Sequence, residues 1–253
     1  MRLSILKSFF SILFAAACLL AQAQEATVDT LHVRNKFLPT GLRIGTDVIT
    51  LVKSNRSSQF AGWEVNADLD INRYYLVMDY GQWAMSQPIT TGQRFVGGPV
   101  TTGLYENSGR YVRFGVDVNF LKKDPDRNMF FLGFRIGRSS FHDAASFVDS
   151  TAYSETVNIN FGATTKELVN SNLTGHWAEL TTGLRVKIYK FFWMGYTARM
   201  KFLPSVSGEQ ELTSYDIPGF GIASRRLYWG FNYQLFFRIP FTSKQVPVEN
   251  AKK

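Results

Sequence analysis

The 253-residue chain has one cysteine, three histidines and eight prolines. Cys18 falls inside a leader-like stretch. Once that stretch is removed, disulfides and thiolate metal sites are excluded. Beyond it no segment is continuously apolar for the roughly 20 residues that a membrane helix needs. There is no glycine-rich phosphate loop and no spaced set of metal ligands, so no cofactor is expected. The net charge is +8, but Lys and Arg are scattered along the chain instead of gathered in a stripe. That scatter argues against nucleic acid as a partner.

The leader itself is clear. Arg2 and Lys7 precede an apolar run from Phe9 to Leu20, and Ala21-Gln22-Ala23 reads as a small-x-small cleavage site. Ala15-Ala16-Ala17-Cys18 lacks the large apolar residue that a lipoprotein signal carries three positions before its cysteine. The expected organisation is a signal peptide at 1–23, a periplasmic segment at 24–36, a barrel at 37–240 and a periplasmic tail at 241–253.

Aromatics are 15% of the chain, with 22 Phe and 11 Tyr. They recur at alternate positions, which is the pattern of a strand with one apolar and one polar face. From Tyr111 to Phe120, Val112, Phe114, Val116, Val118 and Phe120 oppose Arg113, Gly115, Asp117 and Asn119. Phe130, Leu132, Phe134 and Ile136 oppose Phe131, Gly133, Arg135 and Gly137. The pattern returns over 178–188, 192–202 and 227–238, and in shorter form over 42–48, 63–71 and 74–81, giving eight segments. Large aromatics such as Trp63, Tyr74, Phe120, Trp177, Phe202, Trp229 and Phe237 end the apolar faces, as interfacial girdles do.

Connections alternate as well. Asn72-Arg73, 122–127 and Tyr189-Lys190 are short and polar, whereas 53–62, 83–109, 139–176 and 203–225 are long. These features predict an all-β fold, an eight-stranded antiparallel transmembrane β-barrel with short periplasmic turns and long extracellular loops. Both termini are then periplasmic, and outer-membrane lipids surround the wall.

A barrel of eight strands is just wide enough to be filled by side chains. Arg43, Asp47, Glu64, Asp68, Asp79, Arg113, Asp117, Arg135, Glu179, Arg185, Arg199 and Arg238 are expected to form a charge network in the lumen. Such a network plugs the barrel, which disfavours a pore and puts the function in the loops or in protein contacts; a minor channel or surface-binding barrel is the alternative reading. His142-Asp143, near Ser139, Ser140 and Ser146, is the best candidate base for a rim hydrolase. Adjacency alone does not set a base on a nucleophile, so no catalytic residue is assigned. Phe95, Tyr105, Phe147, Tyr153, Phe161 and Phe220 are apolar loop residues expected to dock other outer-membrane proteins or surface lipoproteins.

The stretches "GLRIGTDV", "GWEVNADLDINR", "YVRFGVDVNFL", "MFFLGFRIGRSSF", "HWAELTTGLRVKI", "IPGFG" and "YWGFNYQLFFRIPF" resemble an outer-membrane barrel family of unknown function from the Bacteroidota. "HWAEL" and "IPGF" are its most specific parts, and Asp29-Thr30-Leu31 is similar to that phylum's O-glycosylation signal. The resemblance implies an integral outer-membrane protein with no catalytic residues to transfer. It points to a subunit of an outer-membrane complex, with the barrel-assembly machinery as the suggested assembly.

Overall fold

The computed structural model describes residues 38–91, 101–121, 128–150, 153–154, 159–160 and 163–241. In chain order the elements are β1 (Gly41–Asp47), α1 (Val48–Arg56), β2 (Phe60–Ile71), β3 (Tyr74–Thr91), β4 (Thr101–Asn119), β5 (Met129–Ser150), β6 (Tyr153–Ser154), β7 (Ile159–Asn160), β8 (Ala163–Tyr189), β9 (Phe192–Ser207), β10 (Asp216–Ile217), β11 (Gly221–Ile222) and β12 (Leu227–Pro240). Eight of the strands form a closed barrel in the order β1–β12–β9–β8–β5–β4–β3–β2. β6 pairs with β7 and β10 with β11 in two small antiparallel ribbons.

Side-chain alternation sets the two faces of the wall. Phe114, Phe134, Ile136, Leu184, Trp229 and Phe231 are each half or more exposed on the outside. Arg113, Asp117, Arg135 and Arg185, their neighbours in sequence, are almost fully buried inside. Fully burying one such apolar side chain in a soluble core stabilises by about 1.5–3 kcal/mol. Here many large apolar residues are on the outer wall instead.

Three features depart from the sequence expectations. First, the alternation through Val48 predicts a longer first strand, but β1 stops at Asp47 and α1 follows. Asp47 caps the helix, its carboxylate accepting from the Ile49 and Thr50 amides at 3.3 Å and from Thr50 Oγ1 at 2.5 Å. Lys53 and Arg56 in the last turn suit the helix dipole.

The helix also mends the wall that β1 leaves unfinished. β12 pairs with β1 only from Gln234 to Pro240. Beyond that point the Tyr233 amide donates to Asp47 Oδ1 at 3.1 Å and Asn232 Nδ2 donates to Asp47 Oδ2 at 2.8 Å. On the other side the Gly62 amide donates to Ser54 Oγ at 2.9 Å. Helix side chains thus replace partners that a longer strand would have supplied.

Second, much of what reads as long loop is strand. β3 and β4 stay paired from Trp83↔Gly109 up to Thr91↔Thr101. β5 and β8 stay paired from Phe141↔Leu173 up to Ser150↔Ala163, with a bulge between Phe141 and Asp143. β8 has 27 residues, against roughly 9–11 for a membrane-spanning strand. The inward alternation simply continues through Asn107, Tyr105, Asp143 and Ala145, all buried. Third, Trp177 is 4% exposed and faces the lumen. It shares the parity of Glu179, and its Nε1 donates to Glu179 Oε1 at 2.7 Å.

Asp47→Ala removes a helix cap and strands Asn232 at the seam. A loss of about 2 kcal/mol is expected, measured as a shift of the urea midpoint for the detergent-folded chain.

Candidate functional site

The lumen is filled in layers. In the middle layer, Asp79 of β3 receives three arginines: Arg135 Nη1 at 2.6 Å, Arg199 Nη1 at 3.0 Å and Arg113 Nε at 3.3 Å. Glu64 of β2 pairs with Arg113 and accepts from the Tyr111 hydroxyl at 2.6 Å. Glu179 of β8 faces Arg199 Nη1 at 3.2 Å. One level below, Asp68 holds Arg43 Nε at 2.6 Å and Arg185 Nη1 at 2.7 Å. Asp117 holds Arg135 Nη2 at 2.9 Å and Arg185 Nη2 at 3.2 Å. Arg135 therefore links the two levels. Gly133 leaves the room for this, since a Cβ there would meet Asp117 Oδ1 at 2.0 Å.

Aromatic rings close the layer beneath. The Arg43 guanidinium lies 4.6 Å from the Tyr75 ring and 5.3 Å from Trp193. Arg185 lies 4.8 Å from Phe131 and 4.9 Å from Phe236. At the lower rim Arg238 Nη2 reaches Asp70 at 3.2 Å. Guanidiniums stacked on rings and paired with carboxylates make a solid plug, with their charge balanced in place.

The segment between β9 and β12 caps the upper end. Ile217, Pro218, Gly219 and Phe220 are all buried. Ile217 and Phe220 pack with Tyr111, Phe141, Leu173 and Trp177. Lys201 Nζ donates to the Gly219 carbonyl at 2.8 Å and the Phe220 carbonyl at 2.9 Å. Gly219 has φ +90 and presses on the Tyr111 ring, where a Cβ would stand 2.6 Å from the ring. Glycine is therefore needed both for the backbone angle and for the close approach.

A polar shelf anchors this cap. Asn107, Asp143 and Asn170 are direct cross-strand neighbours on β4, β5 and β8, all facing inward and buried. Asn107 Nδ2 donates to the Asp216 carbonyl at 2.9 Å, and Asn170 Nδ2 donates to the Leu212 carbonyl at 2.8 Å. Asp143 fixes the shelf by accepting from Tyr105 Oη at 2.9 Å and Asn170 Nδ2 at 2.8 Å. Among the described residues no cation comes within ion-pair reach of Asp216. Burial pushes its carboxyl up to about 6, offset in part by the Asn107 hydrogen bond and by the charges of Lys201 and Lys53.

The structure thus brings Arg43, Glu64, Asp68, Asp79, Arg113, Asp117, Arg135, Glu179, Arg185 and Arg199 together, with Arg238 at the lower rim on Asp70. Asp47 stands apart as the helix cap. His142 and Asp143 do not meet. His142 is exposed on the outer wall and Asp143 is buried in the shelf, because successive strand residues face opposite sides. Ser139 Oγ is turned to the Arg110 carbonyl at 3.2 Å.

Of the expected docking residues, Tyr105 and Phe220 are buried. Their rings hold the shelf and the cap, so they offer no surface to a partner. Phe147 is half-buried against Tyr105, Ala145 and Leu212. Tyr153 lies in β6, and Phe95 and Phe161 lie outside the described residues, as do the predicted leader at 1–23 and the predicted periplasmic segments before 38 and after 241. Lys201 has the inward parity that the 192–202 pattern predicts, whereas Asn107 and Asn170 lie in stretches that read as loop. Continuing the alternation upward from Arg113 to Asn107 and Tyr105 is the signal that finds the shelf. Among the described residues no group of three His, Cys, Asp or Glu is placed to hold a metal ion.

These observations define the class: a closed eight-stranded antiparallel barrel with a charge-paired, capped lumen. The chain belongs to the DUF6048 family, a domain of unknown function, which it matches over residues 4–244. Among solved structures it is similar to CarO2 of Acinetobacter baumannii, at 11% identity and a TM-score of 0.38, over 82% of this chain and 100% of that one. No curated protein matches it in sequence.

Two tests follow from this geometry. Asp79→Ala leaves three buried guanidiniums short of a partner, with an expected loss of about 3–5 kcal/mol, measured by urea unfolding of the detergent-folded chain. The second concerns pH. The docked cap binds a proton at Asp216 more tightly than the undocked cap, since the docked carboxyl has the higher pKa. Docking should therefore strengthen as pH falls through about 6 and weaken above it. Amide exchange at Ile217 and Phe220 should slow from pH 7.5 to pH 5 beyond its intrinsic pH dependence, and Asp216→Asn should abolish that extra change.

Proposed function

We propose that this protein is an integral outer-membrane barrel that works through protein contacts, as a structural or accessory subunit of an outer-membrane complex. The observation that carries the membrane reading is the inverted wall. Phe114, Phe134, Ile136, Leu184, Trp229 and Phe231 face outward, each half or more exposed, while the arginines and carboxylates are inside. Hydrocarbon around the wall satisfies that distribution, and water does not. The β-ladder closes on itself from Gly41 to Asp47, and above that level Asp47 and Ser54 supply the partners that β12 and β2 lack, which limits the open edge that a bilayer does not tolerate.

In this reading the short turns at Asn72-Arg73 and Lys190-Phe191 are periplasmic, and the extended β3–β4 and β5–β8 hairpins stand outside the cell. The ion-paired layers and the cap argue for a wall and scaffold over a channel. His142 and Asp143 face opposite sides of β5, which gives no support to a rim hydrolase that would use both. The hairpins that rise past the apolar belt are the parts free to meet other proteins. The resemblance on "HWAEL" and "IPGF" nominates the barrel-assembly machinery of the Bacteroidota as the complex.

The test is affinity purification of a tagged copy from detergent-solubilised outer membranes, followed by mass spectrometry. Stoichiometric recovery of other outer-membrane proteins is expected, and a lone monomer at native abundance would overturn the subunit reading. In planar bilayers the purified barrel should show no steady conductance.

A further inference from the structure

Inside the barrel every arginine of the middle layers has a carboxylate. Among the described residues, two arginines on the outer face of the barrel strands have none. Arg110 of β4 and Arg138 of β5 are exposed, and among the described residues neither guanidinium has an acceptor. Their parity is that of the apolar wall. Arg110 lies two residues above Val112 on the same face, and Arg138 two above Ile136.

The sheet register gathers these groups. Arg138 is paired with Val112 and Arg110 with Ser140, so the two arginines are diagonal neighbours, roughly 7–8 Å apart between backbones and within reach of long side chains. Arg138 is directly opposite His176. His142, paired with Ser108, is the diagonal neighbour of Arg110 on the other side. All four side chains are exposed. Two guanidiniums set side by side destabilise a sheet unless an anion lies between them.

Directly below this patch is an apolar groove of about 660 Å³, lined by Ala67, Met78, Phe114, Phe134 and Ile136 among others. Ile44, Ala67, Met78, Phe114 and Ile136 form one cross-strand row, and Ala67 is the notch in it. A basic patch that caps an apolar groove on one wall has the shape of an amphiphile with an anionic head.

We propose that this wall is a binding site for a phosphate-bearing membrane lipid, its phosphate held by Arg110 and Arg138 and an acyl chain in the groove below. The site rests on the membrane reading above. Arginine is suited to the phosphate because its planar fork donates two hydrogen bonds at once. Ser108 and Ser140, paired with His142 and Arg110, add hydroxyl donors at the same level. The depth is consistent, because the arginines begin where the apolar residues of β4 and β5 end.

The experiment uses the full chain folded into phosphatidylcholine vesicles doped with phosphatidic acid or with diacylglycerol of the same acyl chains. Lipid retained on the extracted barrel is counted by native mass spectrometry. Phosphatidic acid should be retained over diacylglycerol by about tenfold or more. R110Q/R138Q should erase that preference, R110K/R138K should keep part of it, and A67F should lower phosphatidic acid retention by filling the notch. Far-UV dichroism and unboiled gel mobility should match the parent for each variant. Equal retention of the two lipids, or a preference unchanged in R110Q/R138Q, overturns the site while leaving the membrane reading intact. Unchanged retention by A67F overturns the placement of the chain in the groove. Failure of the parent chain to enter the vesicles overturns both readings.

Discussion

An arginine inside a narrow barrel is tolerable only when carboxylates surround it, and that requirement organises the rest of this structure. Asp79 alone takes up Arg113, Arg135 and Arg199, which arrive from three different strands. Asp68 and Asp117 do the same for Arg43, Arg135 and Arg185 one level down. The network therefore locks the register of seven strands at once. A slip of one residue would turn Arg135 to the outside and Phe134 into the lumen. Replacing such a network by apolar side chains often stabilises a protein, so its contribution here is uniqueness of register more than net stability.

The ends of the lumen are closed by different means. Below, rings from β3, β5, β9 and β12 stack on Arg43 and Arg185. Above, a loop turns back into the barrel and is held by one lysine and by two shelf asparagines. The wall itself is unfinished beside β1, and Asp47 resolves this with one carboxylate that caps α1 and serves β12. A residue that alternation assigns to the charge network is in fact the joint between a strand, a helix and a second strand.

Much of the architecture was legible from alternation. The facing of Phe114 against Arg113, Phe134 against Arg135 and Leu184 against Arg185 needs no tertiary information, because a strand can only place neighbours on opposite sides. The same rule misleads where a strand is interrupted or where polarity is taken for exposure. Val48 continues the apolar parity of Leu42 and Ile44, yet it starts a helix because Asp47 caps it. Trp177 has the look of an interfacial girdle, yet its parity with Glu179 sends it inward. Residues 139–150 read as loop because they mix Ser, His and Asp, yet they form strand because β4 and β8 lie on either side to pair with them.

By itself the sequence carried eight alternating segments, while leaving ten strands open, and for most positions in those segments it carried which side chains face in and out, because the facing follows from a local two-residue period. It also bounded the chemistry, since a chain with three histidines and one cysteine has little material for a metal or thiol site. Only the tertiary structure decided which arginine meets which carboxylate, how "IPGF" turns into the lumen, and that Arg110 and Arg138 stand together above a groove. Those relations join residues tens of positions apart in the chain. They are set by register across the closed sheet, and no local pattern carries register.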